Sequence, residues 1–392
     1  MRPGYGAASR NHDHYLNGDR MNGSGRTKRS EFQEWAKTRA NARFNLATSG
    51  LTSVPITEFP PHLEQLEITG PGGYGYGPLQ RCIARHADVP EECVVAATGT
   101  SMANYLAMAA VLDPSDEVLI EQPTYGPLLD VAYYLGARIK RIQRKAETEF
   151  AVDLAQIERA ITDQTRLIVL SNLHNPSGAL IPAETLRAIG KMAQRSGAHV
   201  LVDEVYLEMI FEHTPASCFS LGHALAPTDD NPFIVTNSLT KVYGLSGLRC
   251  GWIVAAPDLA RRMWLLNDLF GVNAAHPAEQ MSVFAFDHLE QFLERARTLL
   301  AANRALLDAF LDSRRDLECF RPPAGTVVFP RLIDGDTETL LKLLREKYET
   351  TVVPGTFFEM PQHFRIGIGG DTAEVGAGLD RLSAALDEFA RQ

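Results

Sequence analysis

Between about residues 90 and 255, short apolar runs alternate with longer stretches that have the periodicity of helices. The runs are continuous and rich in valine and isoleucine, which is typical of strands buried on both faces of a parallel sheet. They are VVAA (94–97), EVLI (117–120), LIVL (167–170), HVLV (199–202), FIVT (233–236) and CGWIVA (250–255). The repeated strand–helix order predicts an α/β protein with a mostly parallel central sheet and helices on both faces.

The pattern changes on either side of this region. Ser30 followed by Gln33 fits a capping box and predicts a helix start. Long helical stretches lie between about 257 and 313, and the remainder mixes short strand-like runs with helices. We expect a flexible arm (1–30), the N-terminal part of a small α+β domain (31–60), a large domain (61–285) and the C-terminal part of the small domain (286–392).

The composition narrows the class of protein. With 392 residues, 45% apolar and 22% charged, the chain can bury a large core, which excludes a disordered chain, a coiled coil and a disulfide-stapled scaffold. The net charge of −10 is unlike the basic footprint of a nucleic-acid-binding protein. No run approaches the roughly 18 apolar residues that span a bilayer. Five widely spaced cysteines and the lack of an apolar N-terminal leader indicate reduced thiols in a cytoplasmic protein.

The first 30 residues hold six lysine or arginine residues, two aspartates and few aliphatic side chains. Such a segment buries too little apolar surface to offset the entropy lost on ordering. We interpret it as a flexible arm, and a basic docking arm is the alternative.

Polar residues follow four of the predicted strands directly. They are Thr98-Gly99-Thr100-Ser101, SNLHNPSG (171–178), Asp203-Glu204-Val205-Tyr206 and NSLTK (237–241). Because the ligand crevice of an open parallel sheet lies beyond the carboxyl ends of its strands, these four clusters are predicted to converge on one site.

Gly99, Thr100 and Ser101 open a predicted helix. Free N–H groups at a helix start bind anions, and glycine permits close approach; an ordinary helix cap is the alternative. The chain has no GxxxxGK[ST] pattern, and the glycines of GPGGYGYG (70–77) follow no strand-like run, so they indicate a dinucleotide site only weakly.

Lys241 and Asp203 carry the candidate chemistry. Lys241 has Ser238 three residues before it and Arg249 eight residues after it. A desolvated lysine near other cations is a nucleophile for carbonyl groups, which is Schiff-base chemistry; a surface lysine is the alternative. Asp203 leaves an apolar strand, where a carboxylate needs a partner. It fits either a helix cap or the pairing of an aspartate with a protonated pyridine nitrogen.

Taken in order, YGYG, ATGTSMAN, EQPTY, HNPSG, DEVY, SLTK with Arg249, and FRIGIG resemble the class I/II aminotransferases, which are fold-type I pyridoxal 5′-phosphate enzymes. The resemblance runs from about residue 44 to 390. Its most specific parts are NPSG, the spacing from SLTK to Arg249, and DEVY placed 38 residues before Lys241. It implies a homodimer with an active site shared between subunits, and amino acids and 2-oxo acids as substrates. Nothing in the chain points to a metal, nucleic-acid or membrane partner.

The resemblance also implies roles for the matching residues. Lys241 would form a Schiff base with pyridoxal phosphate, and Asp203 would pair with the ring nitrogen. Tyr206 and Asn175 would bond the phenolic oxygen, and Tyr125 would stack on the ring; the catalytic set is Lys241, Asp203 and Tyr206. The residues implied to hold the phosphate are Gly99, Thr100, Ser101, Ser238 and Arg249.

On the substrate side, the resemblance implies that Arg365 in FRIGIG binds the α-carboxylate, which suits a bidentate arginine. Gly50 and Asn175 would line that site. A tyrosine from the partner subunit, either Tyr74 or Tyr76, would reach the phosphate.

Two departures from the family pattern affect the substrate side. The usual G-x-P-D reads SGLTSVP here, so the resemblance does not determine the conformation of this substrate-side loop. Family members specific for dicarboxylates usually bring a basic residue from the stretch after the lysine, and Met263–Gln280 contains neither lysine nor arginine. We therefore expect an aminotransferase that takes a neutral or aromatic L-amino acid and passes its amino group to a 2-oxo acid by a ping-pong mechanism.

Three other functions fit the same fold. The first is a pyridoxal-phosphate lyase or synthase, of the carbon–sulfur lyase or cyclopropane-forming type, because fold does not determine reaction. The second is the sensor domain of a transcription regulator, for which thirty polar residues are too few to form the preceding DNA-binding domain. The third, a non-catalytic structural protein, is disfavoured by the presence of Lys241, Asp203 and Arg365 together.

Overall fold

The computed structural model describes residues 26–58 and 66–391. Helix α1 (Glu31–Thr38) and the short strand β1 (Phe44–Asn45) come first. Seven further strands are β2 (Val94–Thr98), β3 (Glu117–Gln122), β4 (Arg138–Gln143), β5 (Thr165–Ser171), β6 (His199–Asp203), β7 (Phe233–Ser238) and β8 (Cys250–Val254). They form one sheet in the order β2–β8–β7–β6–β5–β3–β4.

The sheet is mostly parallel, which confirms the prediction. Strand β8 alone runs antiparallel to its neighbours, β2 and β7. Successive side chains of a strand point to opposite faces. In β5, Leu167 and Val169 enter one core while Ile168 and Leu170 enter the other. Apolar packing on both faces explains why the strands appear in the sequence as continuous apolar runs.

Strand β4 has no counterpart among the predicted strands. Its sequence RIKRIQ carries three basic side chains, and Ile142 is its one buried residue. It lies at the edge of the sheet and pairs with β3. Charged side chains on an edge strand discourage pairing with other chains, so this strand lacks the apolar run by which the buried strands were found.

Helices cover both faces of the sheet, as predicted. One face packs against α3 (Gly99–Val111), α4 (Gly126–Leu135) and α8 (Pro257–Asn267). The other face belongs to a larger core that continues into the C-terminal helices. Its helices are α2 (Gly77–Ala87), α5 (Leu154–Ala160), α6 (Ala183–Ser196), α7 (Cys218–Gly222), α9 (His276–Asp287), α10 (Leu289–Ser313), α11 (Thr337–Tyr348) and α12 (Thr372–Phe389).

Short strands join the two ends of the chain. Strand β1 pairs in parallel with β12 (Thr350–Thr351). Strand β14 (Phe364–Gly367) lies between β10 (Val327–Val328) and β13 (Val353–Pro354), and β9 (Leu317–Glu318) pairs with β11 (Arg331–Leu332). The pairing of β1 with β12 brings residues near 45 beside residues near 350, while the domain boundaries themselves stay a prediction.

Three local expectations can be compared with the structure. The Ser30 hydroxyl caps α1 by accepting from the Gln33 amide, but the Gln33 side chain bonds Tyr125 instead of returning to Ser30, so half of the capping box forms. The long helical stretch breaks at His288, between α9 and α10. Of the expected flexible arm, residues 1–25 lie outside the described residues, and 26–30 form neither helix nor strand.

All five cysteines are free thiols, and four of them are buried. Within residues 26–58 and 66–391, no helix combines the length and the apolar character needed to cross a membrane.

Candidate active site

Four strand ends meet at one edge of the sheet. The register pairs Ser171 with Asp203 and Asp203 with Thr236 across β5, β6 and β7. Because β8 is antiparallel to β2 and β7, its first residue lies at this same edge, and Arg249 just before it reaches Gly99 after β2. The predicted clusters thus surround one cavity of about 620 Å³.

Most of the predicted site residues line this cavity. They are Thr100, Ser101, Tyr125, Asn175, Asp203, Tyr206, Lys241 and Arg249. Four others contact those residues or their neighbours from behind. They are Gly50, Gly99, Ser238 and Arg365. The structure brings these twelve together; the role given to each stays a prediction.

One end of the cavity suits an anion. Gly99 has φ +75°, and a Cβ atom there would lie 2.1 Å from Nη2 of Arg249, so glycine is what allows the guanidinium to lie on the start of α3. Nη2 donates to the Thr98 carbonyl oxygen at 3.3 Å. The Thr100 hydroxyl is buried and has no hydrogen-bond partner among the described residues. A helix N-terminus, a guanidinium and an unpaired hydroxyl together fit a phosphate group.

Asp203 lies at the bottom of the cavity with a buried carboxylate. It accepts from Nδ2 of Asn104 at 2.9 Å and from the Val205 amide at 3.1 Å. Asn104 is held in turn by the Thr236 hydroxyl, which donates to its Oδ1 at 2.6 Å. Burial raises the pKa of Asp203 to about 6, although these hydrogen bonds and the charge of Lys241 act in the opposite direction. A cationic partner at the carboxylate would offset this cost of burial.

Lys241 points at a residue that the sequence motifs did not reveal. Its Nζ donates to the hydroxyl of Ser49 at 3.1 Å, and the Tyr206 hydroxyl donates to the same oxygen at 2.8 Å. Gly50 packs against the lysine side chain, since a Cβ atom there would lie 3.3 Å from Cδ of Lys241. Ser49 belongs to SGLTSVP, the segment that departs from the family pattern, and that departure was the available signal.

Arg365 lies behind Asn175 and is 1% exposed. Its Nη1 donates to Oδ1 of Asn175 at 2.8 Å and its Nη2 to the Ala47 carbonyl oxygen at 2.9 Å, while Nε has no partner in the described chain. The guanidinium carbon lies 5.3 Å from the ring centroid of Phe358. Burial lowers the pKa of Arg365, so an incoming carboxylate would compensate a charge that has no acidic partner there.

A buried ion pair supports Asn175 from below. Glu121 accepts from the amide and hydroxyl of Ser171 at 2.7 and 2.6 Å and from Arg144 at 2.7 Å. The Ser171 hydroxyl then accepts from the Asn175 amide at 3.1 Å. This chain of contacts positions the loop after β5, whose Asn175 accepts a hydrogen bond from Arg365.

Helix α1 lies at the mouth of the cavity, where the sequence placed no site residue. Nε2 of Gln33 donates to the Tyr125 hydroxyl at 2.7 Å. Phe32 contacts the Tyr125 ring edge-on, with ring centroids 5.4 Å apart. Gln33 and Lys37 both line the cavity. Burial raises the pKa of Tyr125 well above its ordinary value, so its phenol stays protonated.

Tyr74 and Tyr76 do not line the cavity of their own chain. The Tyr74 hydroxyl donates to Asp268 at 3.2 Å, and the Tyr76 ring packs edge-on against His276. The segment Met263–Gln280, from which the substrate preference was argued, also contributes no residue to the lining of this cavity.

The fold and this site define a pyridoxal-phosphate-dependent enzyme of fold type I. The family described as "Aminotransferase class I and II" matches residues 69–382, and the chain belongs to this family. The residues present fit that cofactor: the Gly99–Arg249 contact and the unpaired Thr100 hydroxyl suit its phosphate, and the buried Asp203 suits a protonated ring nitrogen.

Individual relatives cover different shares of the chain. The capreomycidine synthase of Streptomyces vinaceus is 28% identical over 92% of this chain and 94% of its own length. The aspartate aminotransferase of Streptomyces avermitilis is 26% identical over 77% of this chain and 76% of its own. The crystal structure of a PLP-dependent aminotransferase from Streptococcus suis superposes with a TM-score of 0.85 at 25% identity, covering 92% of this chain and 98% of that one.

Proposed function

We propose that this enzyme is an aminotransferase that moves the amino group of a neutral or aromatic L-amino acid to a 2-oxo acid in a ping-pong reaction. The observation that carries the proposal is that the Lys241 amine and the Asp203 carboxylate line one cavity. Arg365 contacts that cavity through Asn175, a lining residue to which it donates. A base, a partner for the cofactor ring and an anchor for a carboxylate are the three groups that such a reaction needs.

The cofactor, when bound, supplies an electron sink for the pair left at Cα. Arg249, Ser238 and the start of α3 would hold its phosphate. Asp203 would keep the ring nitrogen protonated, and Tyr206 and Asn175 would donate to the phenolic oxygen. Lys241 Nζ would take the proton from Cα and later return one; a base positioned in this way contributes about 10²–10⁴-fold to the rate.

Arg365 would bind the α-carboxylate of every substrate, since each must present one to reach Lys241. Pro127, Leu128 and Val131 form an apolar part of the cavity wall. A carboxylate against that wall would lose hydration without gaining a partner, which supports a neutral or aromatic donor. Among the described residues, Lys37 is the one cation that lines this cavity outside the proposed cofactor contacts, and it is the partner available to a long acidic side chain.

A second candidate function is a synthase. The alignment with the capreomycidine synthase spans nearly the whole chain, whereas that with the aspartate aminotransferase spans about three quarters. Removal of the Cα proton by Lys241 is shared by both reactions. They differ in whether the amino group leaves the substrate or a bond is made or broken in its side chain.

Product analysis separates the two. The protein with bound pyridoxal phosphate is mixed with aspartate, alanine, leucine or phenylalanine, with and without a 2-oxo acid acceptor. Transamination predicts one turnover of oxo acid without acceptor and continuous turnover with it. Loss of the Cα hydrogen without oxo acid from any of the four, with or without acceptor, supports the synthase, because none of the four carries a side-chain group that could leave or close a ring. Half-reaction at least tenfold faster with aspartate than with the other three contradicts the neutral-donor proposal.

We also propose a homodimer in which Tyr74 or Tyr76 of the partner subunit reaches the phosphate. Proteins of this family are generally dimeric, and neither tyrosine serves its own cavity. Phenylalanine variants at each position should weaken cofactor binding in one case and leave it unchanged in the other, as measured by equilibrium dialysis.

A further inference from the structure

Ser49 lies between the side chains of Lys241 and Tyr206. It follows β1 and is 7% exposed. Its hydroxyl oxygen accepts from Lys241 Nζ at 3.1 Å and from the Tyr206 hydroxyl at 2.8 Å. Both hydrogen bonds that this side chain makes in the described structure go to residues that line the cavity.

The backbone around Ser49 is held independently of that hydroxyl. The Ser49 carbonyl oxygen accepts from the Thr326 hydroxyl at 2.7 Å. The Leu51 amide donates to the Lys241 carbonyl oxygen at 3.2 Å, and Gly50 packs against the lysine side chain. The segment is thus anchored by its main chain as well as by the Ser49 hydroxyl.

A hydroxyl has one donor and two acceptor positions. It can therefore accept from Lys241 when the amine is protonated and donate to it when the amine is neutral. The Tyr206 hydroxyl has a single proton, which it gives to Ser49 in this structure and would give to the phenolic oxygen when the cofactor is bound. We propose that Ser49 is a further catalytic residue, which holds the Lys241 amine in line with the Cα proton in both directions of the transfer.

The proposal rests on the proposed function only in requiring that Lys241 remove the Cα proton. In that step the Cα–H bond breaks, its electron pair passes to the cofactor, and the proton forms a new N–H bond on Nζ. Ser49 Oγ accepts from the resulting ammonium and neither gains nor loses a proton overall. In the reverse direction Lys241 Nζ would give the proton back, and its N–H bond would break as the new C–H bond forms.

Hydrogen exchange at Cα tests the role without reference to the final product. The holoenzyme is incubated in D₂O with the amino acid that the wild type exchanges fastest, and deuterium at Cα is followed by NMR. Ser49→Ala should slow exchange about 10- to 100-fold, as expected when a reacting group loses its alignment, while the half-saturating amino acid concentration changes less than threefold. Ser53→Ala, an exposed serine on the same segment, should exchange like the wild type.

A second set of variants separates positioning from damage to the fold. Ser49→Thr keeps the hydroxyl and should recover most of the exchange rate. The double variant Tyr206→Phe, Ser49→Ala should lose no more of the exchange rate than the two single losses multiplied together. The melting temperature of each variant is recorded as a measure of its fold. Exchange in Ser49→Ala within threefold of the wild type, or an equal loss in Ser49→Thr, overturns the proposal for Ser49. If the wild-type enzyme exchanges the Cα hydrogen of none of the amino acids tried, that result overturns the proposed function instead.

Discussion

At the scale of single residues, burial dominates the chemistry of Asp203. Its pKa of about 6 in the folded protein lies above its ordinary value of 3.8. Between those two pH values the folded protein binds more protons than the unfolded chain, so this group's contribution to stability falls as pH rises. Ionisation of Asp203 therefore destabilises the cofactor-free fold at neutral pH.

We predict that Asp203→Asn stabilises the cofactor-free protein at pH 8. The gain should be up to about 3 kcal/mol, because the folded pKa of about 6 lies some two units above 3.8, and should shrink as pH falls below 3.8, where the wild-type carboxyl becomes protonated in both states. Melting temperatures across this range measure the difference. Asp163→Asn, at an exposed position, is the matched control. A wild type as stable as Asp203→Asn at every pH contradicts the role of burial.

Lys241 allows a covalent test of its assignment. Borohydride reduction of the protein incubated with pyridoxal phosphate should fix the mass of the cofactor onto the peptide that contains Lys241. The reason is that its Nζ lies in the cavity beside Asp203, with no carboxylate paired to it in the described chain. Mass spectrometry of the digest reads the position. Lys241→Ala should still bind the cofactor but lose turnover at least 10²-fold; substantial turnover would contradict the assignment.

At the scale of elements, α1 is held on the cavity by aromatic side chains. Phe32 is 8% exposed, and its ring lies 5.4 Å from that of Tyr125, 5.7 Å from that of Phe357 and 6.1 Å from that of Phe358. A helix of eight residues has little stability of its own in water. Phe32 is the buried residue of this helix, so the position of α1 depends strongly on the packing of its ring.

We predict that Phe32→Ala detaches α1 from the cavity mouth. Truncating a buried phenylalanine costs about 3–5 kcal/mol, which exceeds what the single Gln33–Tyr125 hydrogen bond can supply. KM for the amino acid should rise at least tenfold, and protease cleavage near α1 should accelerate while the rest of the chain stays intact. Glu34→Ala, on the exposed side of the same helix, should change neither quantity. Equal cleavage of both variants would show that Phe32 does not hold the helix.

Elements also differ in how well the sequence reveals them. Buried strands such as β5 were found because both faces need apolar side chains. The edge strand β4 was missed because its basic side chains interrupt the apolar run. The break at His288 has no local signal, because neither glycine nor proline lies near it.

At the scale of the whole molecule, three distant segments meet at Glu208. Its carboxylate accepts from the Tyr243 hydroxyl at 2.5 Å and lies 2.6 Å from Nε2 of His86. Trp252 and Phe286 pack against the histidine ring. Burial opposes protonation of His86, but the hydrogen bond and charge of Glu208 outweigh it, so the pKa of His86 is raised. This contact ties α2 to the loop that carries Lys241.

A raised histidine pKa stabilises the fold below pH 6.5, and the effect is lost as pH rises through the folded value. We predict that His86→Gln is less stable than the wild type at pH 6 by roughly 1.5–3 kcal/mol, the value of a hydrogen bond to a charged group, and that the deficit shrinks at pH 9. Melting temperatures at the two pH values measure it. His213→Gln, at an exposed position, is the control. A deficit that grows with pH would show that the ion pair is not what His86 supplies.

The sequence alone determined the buried strands of the sheet and the local motifs, because continuous apolar runs and the short polar clusters after them are local signals. It also predicted that those clusters converge, since parallel strands place their carboxyl ends at one edge. Only the tertiary structure decided which side chains meet across long separations. The antiparallel direction of β8 brings Arg249 onto Gly99, the segment after β1 places Ser49 between Lys241 and Tyr206, and α1 lies over Tyr125. Such contacts depend on packing between elements that lie from 92 to 192 residues apart, and no local pattern encodes them.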